Sequence, residues 1–151
     1  LHVLKVIEHM LPATIHPMVV HFTIAITYLA TLAGLIGLVR RKSDFWPKSF
    51  LYLLGLGVLA TIAAGVAGVV SESYISHISP TVAPMFHHHK EYGVLTGVAL
   101  LLAFAAQWLL GMRRQRVAMI GFLASLAATI LVTLAGHLGG TLVYHDAFGI
   151  S

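Results

Sequence analysis

Cysteine is absent from all 151 residues, so the chain carries no disulfide, thiolate zinc site, iron–sulfur cluster or covalently attached c-type haem of its own. Charge is the second scarcity: 9% of residues are charged, 58% are hydrophobic and the mean hydropathy is +0.91. Ordinary soluble domains carry about 25% charged residues, and a surface this poor in charge predicts an integral membrane protein. The five acidic residues are too scattered to form a carboxylate pair, and no nucleophile arrangement stands out. The resulting +4 net charge does not point to nucleic acid. Seven of the nine basic residues fall in two short stretches, Arg40, Arg41, Lys42 and Lys48, then Arg113, Arg114 and Arg116, which is a positive-inside bias and not a polyanion-binding stripe.

Long apolar runs fill the rest. Four are about 20 residues long, the length a bilayer core requires, at approximately 17–39, 50–70, 92–112 and 117–138. They predict an all-α, up-down four-helix membrane bundle, a single transmembrane domain over 1–151. Pro17 is expected in the first turn of its helix, and Gly139–Gly140 at the end of the last. The stretch before Pro17 is mildly amphipathic and suits a short interfacial helix. Residues 40–49, 71–86 and 113–116 are expected as connections, with HHHKE leading into the third span. With both basic loops cytoplasmic, the two termini and the 71–86 connection face the periplasm from the inner membrane of a bacterium.

Histidine is abundant, ten in the chain, roughly three times ordinary usage. His2, His9 and His16 precede the first span, and His21 lies about one turn inside it. His77 falls in the outer loop, His87, His88 and His89 lead into the third span, His137 ends the fourth and His145 follows it. All ten belong to the outer side. His21 and His137 lie within spans at matched depth, and the cost of polar groups in hydrocarbon predicts that they face the bundle interior; His16 and His89 form a second layer. Two neutral imidazoles on opposite faces of a flat macrocycle are what a low-spin b-type haem requires. The expected axial pair is His21 with His137, or His21 with His89 across the diagonal, for one haem, or two if the second layer is used. Gly93, Gly136 and Gly140 would admit the ring, although the same glycines fit close helix packing, and Lys90 is a candidate for the propionates. A competing reading gives copper, or another imidazole-accepting ion, to His87, His88 and Met85. In the plainest reading the histidines bind nothing and the chain is a structural subunit.

Three segments, IHPMVVHFTIA at Ile15–Ala25, HKEYG at His89–Gly93 and GHLGGTLVYHDAFGI at Gly136–Ile150, resemble the DUF2231 family of small four-helix membrane proteins. The matching positions are His16, Pro17, His21, Phe22, His89, Gly136, Leu138, Gly139, Gly140, Val143 and Tyr144. Thr23 stands where the family usually has proline, and His137 is not general in such proteins. The resemblance implies haem binding and a link to Rieske-type and cytochrome partners.

The leading functional expectation is a b-type cytochrome-like subunit without bond-making catalysis of its own. It would relay electrons near the outer membrane face, between a quinone or periplasmic redox partner and a larger complex containing a cytochrome or iron–sulfur protein. Membrane lipid is its other partner, and nucleic acid is not one.

Overall fold

The computed structural model describes residues 2–73 and 83–144, with side chains over 18–66 and 91–137. The described residues are all helical or in turns: α1 (His2–Val39), α2 (Phe45–Ser73), α3 (Ala83–Ala106), a π-helical turn (Gln107–Gly111), the single-turn α4 (Met112–Arg114) and α5 (Met119–Tyr144). Four stretches are long and apolar enough to cross a bilayer, Met18–Val39, Phe45–Val66, Glu91–Arg114 and Met119–His137. The protein is therefore an all-α, four-span membrane bundle.

Several expected boundaries move outward. Helix α1 passes through both Pro12 and Pro17 as one element, so there is no separate interfacial helix and Pro17 is not in a first turn. Gly139–Gly140 does not end α5, which continues to Tyr144. The second connection is shorter than expected at its far side, because α3 begins at Ala83 and takes in Met85 and His87 to Lys90. One physical reason covers all three: a proline removes a single backbone bond and a glycine costs about 1 kcal/mol in a helix, whereas an interrupted helix in an apolar medium leaves many peptide groups unpaired. Pro47 and Pro84 do sit in first turns, of α2 and α3, where a missing N–H is harmless.

Short turns make α1–α2 and α3–α5 antiparallel hairpins, and the α1–α5 and α2–α3 seams close these hairpins into a four-membered ring. The diagonals are α1 with α3 and α2 with α5. Small residues bring the helices close. Ala30, Ala33, Leu54, Leu100, Ala103 and Ala128 surround Phe50 in a core that is 0–3% exposed. A Cβ at Gly34 would fall 2.9 Å from the Phe50 ring, and one at Gly37 would fall 2.5 Å from Val117 Cγ2. Leucine, isoleucine and valine cover the outside, the arrangement lipid favours.

The basic residues of both turns, Arg40, Arg41, Lys42, Arg113, Arg114 and Arg116, are exposed at one end of the bundle. The turn between α4 and α5 is tightly built there. Gln115 adopts the left-handed conformation (φ 51°), while Gln115 N–H donates to Met112 O at 3.3 Å and Arg116 N–H to Gly111 O at 3.0 Å, a Schellman pattern. Beneath it lies Gln107, fully buried in the π turn. Its Nε2 donates to Arg116 O at 2.9 Å, and its Oε1 accepts from Ala118 N–H at 2.8 Å.

Candidate functional site at the histidine end

Towards the opposite end the interior becomes hydroxylic. Thr23, Thr27 and Thr96 are buried and Thr61 is half-buried. Each hydroxyl donates to the carbonyl one turn earlier, at 2.7–2.9 Å: Thr23 to Val19, Thr27 to Thr23, Thr61 to Gly57 and Thr96 to Tyr92. Such back-bonding satisfies the hydroxyl inside its own helix, so these threonines are small packing residues with no donor left over. Thr61 packs on α3, its Cγ2 2.8 Å from where a Cβ at Gly97 would lie.

One turn further out, this contact stops. Gly65 follows Thr61 by four residues and Gly93 precedes Gly97 by four, and a Cβ at either position would meet nothing within 4 Å among the described residues. Among the described residues the close α2–α3 contact thus ends at the Thr61–Gly97 layer. At the α1–α5 seam the reverse holds, because a Cβ at Gly136 would fall 2.9 Å from Ile24 Cδ1. Gly136, expected to admit a ring, has its missing side chain used for helix packing and leaves no slot for one.

The two histidines expected to face inward do not. His21 and His137 are both exposed. With about 100° per residue, His21 lies on the far side of α1 from the buried stripe Thr23, Ala30 and Gly37, and His137 lies opposite Ala128 on α5. The close Ile24–Gly136 approach beside them also leaves no width for a macrocycle between these neighbouring helices. The expectation of an inward His21–His137 axial pair is corrected on both counts, and the His21–His89 pair fails for the first reason. The cost of exposure that motivated the expectation is small here, because both residues stand at the ends of their spans, where an imidazole reaches the headgroup region.

Helical register points elsewhere. His16 precedes Thr23, Ala30 and Gly37 by 7, 14 and 21 residues, and all three are buried. On α3, His89 precedes Thr96, Leu100, Ala103 and Gln107 by 7, 11, 14 and 18 residues, again all buried. Each histidine occupies the outward continuation of an inward stripe, on the two helices that face each other diagonally. The side chains of His16, Met85, His87, His88, His89, Lys90 and Gly140 lie outside the described ones, as do residues 74–82, with His77, and 145–151, with His145. Among the described residues no three of His, Asp and Glu gather as a metal site.

Two polar features were not anticipated from the residue pattern. Gln107 stands in an apolar run, with ten apolar residues before it (97–106) and five after it (108–112), and that lone amide was the available signal. A hydroxyl seam joins α1 to α5: Tyr28 pairs with Thr133, Thr31 with Thr129 at 2.8 Å, and Thr31 donates to Ser125 O at 3.2 Å. Its signal was the i, i+4 spacing of Thr23, Thr27 and Thr31 and of Ser125, Thr129 and Thr133.

Comparison with known proteins adds one match. The family described as "Predicted membrane protein (DUF2231)" matches residues 12–151. No curated protein and no solved structure matches the chain.

Proposed function

This chain belongs to the DUF2231 family of predicted membrane proteins, and from that premise we propose that it is a non-catalytic electron-transfer subunit carrying a b-type haem at the histidine end of the bundle. The observation that carries the reading is the register of His16 and His89, which continues the buried stripes of two diagonal helices towards the level of Gly65 and Gly93, where a Cβ meets nothing within 4 Å among the described residues. Neighbouring helices pack about 8–10 Å apart and the diagonal of such a ring is about 1.4 times wider, so α1 and α3 would be the pair of helices to hold a flat cofactor. Haem b, when bound, supplies a one-electron iron couple. His16 and His89 would each hold a neutral imidazole nitrogen towards it, and the closed Thr61–Gly97 layer would form the floor that keeps it at the outer face. Its electrons would pass to a cytochrome or iron–sulfur subunit at the outer face of a bacterial inner membrane.

The reduced-minus-oxidised visible spectrum of the purified full chain, expressed with adequate haem supply, tests this. Sharp low-spin bands are expected in the wild type, in His21→Ala and in His137→Ala. His16→Ala and His89→Ala should turn the spectrum high-spin or lose the pigment. A folded, colourless protein overturns the haem reading, and stoichiometric copper in that preparation, lost on replacing His87 and His88, would transfer the role to those residues with Met85.

A further inference from the structure

At the end of the bundle away from the histidines, the two basic turns are joined into one surface. Where a Cβ at Gly37 would lie, Val117 Cγ2 stands at 2.5 Å and Trp46 Cβ at 3.1 Å. Val117 directly follows Arg116, and Trp46 is in the first turn of α2, just beyond Lys42. The missing side chain of Gly37 thus lets the starts of α2 and α5 close on the end of α1. Helices in such contact run about 8–10 Å apart, which sets the scale of the separation between the Arg40–Lys42 set and the Arg113–Arg116 set. Charge on this surface is one-sided. All seven of its cations, with Lys48, are exposed, and the only acid within residues 40–48 and 113–116 is Asp44, whose carboxylate is 3.8 Å from Lys48 Nζ. Three cations on each turn are left with no carboxylate partner among the described residues.

These cations stand where spans end. Arg40 follows Val39, the last residue of one span, and Arg114 is the last of another, so both sets lie at the level of lipid headgroups. Val39, Arg40, Arg41, Lys42 and Ser43 line a shallow, open hollow there, and exposed Leu35, Leu110 and Ile120 offer apolar surface on the membrane side for acyl chains. Basic surfaces between membrane helices at this level attract anionic headgroups, and guanidinium groups bind phosphate in a fork. A lipid with one phosphate would satisfy one set of cations and leave the other uncompensated. Two phosphates on a single molecule engage both sets, the second contact being intramolecular once the first is made. We propose that the paired turns bind an anionic phospholipid of the cardiolipin class, two phosphates joined by one glycerol, with one phosphate on each turn. The site lies at the opposite end from the histidines and does not rest on the haem reading.

Native mass spectrometry of the purified full chain in detergent, titrated with tetraoleoyl cardiolipin, dioleoyl phosphatidylglycerol or dioleoyl phosphatidylcholine, tests the site. Cardiolipin is expected to bind about ten-fold more tightly than phosphatidylglycerol at equal phosphate, and phosphatidylcholine to bind weakest. Arg40→Gln and Arg116→Gln, one on each turn, should each weaken cardiolipin about five-fold, the weight of one cation at a membrane surface. Lys48→Gln should weaken it about two-fold or less, because Asp44 already offsets that charge. All three positions are exposed, and size-exclusion profiles matched to wild type exclude misfolding as the cause. Equal affinity for cardiolipin and phosphatidylglycerol at matched phosphate would reduce the surface to a diffuse positive field and overturn the proposal. So would cardiolipin binding unchanged in Arg40→Gln or in Arg116→Gln, or its displacement by millimolar inorganic pyrophosphate, which would make the ligand a soluble phosphate compound.

Discussion

Gln107 illustrates how one buried amide can organise an end of a bundle. Its two hydrogen bonds, to Arg116 O and from Ala118 N–H, satisfy peptide groups that the turn into α5 leaves without helical partners. The π turn around it is the local adjustment that directs the amide there. Gly111 belongs to the same arrangement, because a Cβ at that position would collide with the Gln107 amide. Replacing Gln107 by Leu keeps the volume but strands both groups, at about 1–3 kcal/mol each. A fall of that size is expected in unfolding free energy on titrating the detergent-solubilised protein with dodecyl sulfate. At this scale the residue types alone gave the least guidance. An isolated Gln in an apolar run marks a polar partner, yet nothing in composition says that the partner is the following turn.

At the scale of helices, glycines that look alike in sequence divide into two kinds. Gly34 has the Phe50 ring at 2.9 Å and the Phe122 ring at 3.1 Å from where a Cβ would be, with Phe50 fully buried, whereas a Cβ at Gly65 has nothing within 4 Å among the described residues. Gly34→Ala should therefore destabilise the bundle by about 1–3 kcal/mol through overpacking. Gly65→Ala should raise stability by about 0.5–1 kcal/mol through helix propensity. The same denaturation measurement reads both, and equal effects would contradict the packing described. Helix identity was legible because four apolar runs of bilayer length admit few alternatives. Helix ends were not, since Pro17 and Gly139–Gly140 are strong punctuation in water and weak punctuation in lipid. The direction of the histidines was legible only in part: depth follows from counting residues, but facing needs the buried stripe as reference, and the nearly all-apolar α1 and α5 hide that stripe until contacts define it.

Across the whole molecule, polarity is divided end to end. Exposed Arg40, Arg41, Lys42, Arg113, Arg114 and Arg116 lie at one end and His21 and His137 at the other. From the positive-inside bias we propose that the basic end lies in the cytoplasm. Cysteines introduced singly at Ser43 and Ser79 should then differ in intact cells, with Ser79→Cys reacting with an impermeant maleimide and Ser43→Cys reacting only after permeabilisation. The opposite pattern would invert the protein and remove its histidines from any periplasmic partner.

Within the ring, α1 packs most extensively on α2 and α3 on α5, while the two seams between these hairpins are slighter. Each hairpin brings its own two crossings and its own tight turn at the basic end, and the stretch from Ser73 to Ala83 is the covalent thread between them. The gene should accordingly tolerate being cut in two. Coexpressed halves ending and beginning within that stretch are expected to insert separately and to be recovered together through an affinity tag on either one. Their reassembly would then depend on the Tyr28–Thr133 and Thr31–Thr129 hydroxyls as a molecular zip, and Thr31→Val with Tyr28→Phe should lower the yield of the rejoined pair more than it lowers the stability of the uncut chain.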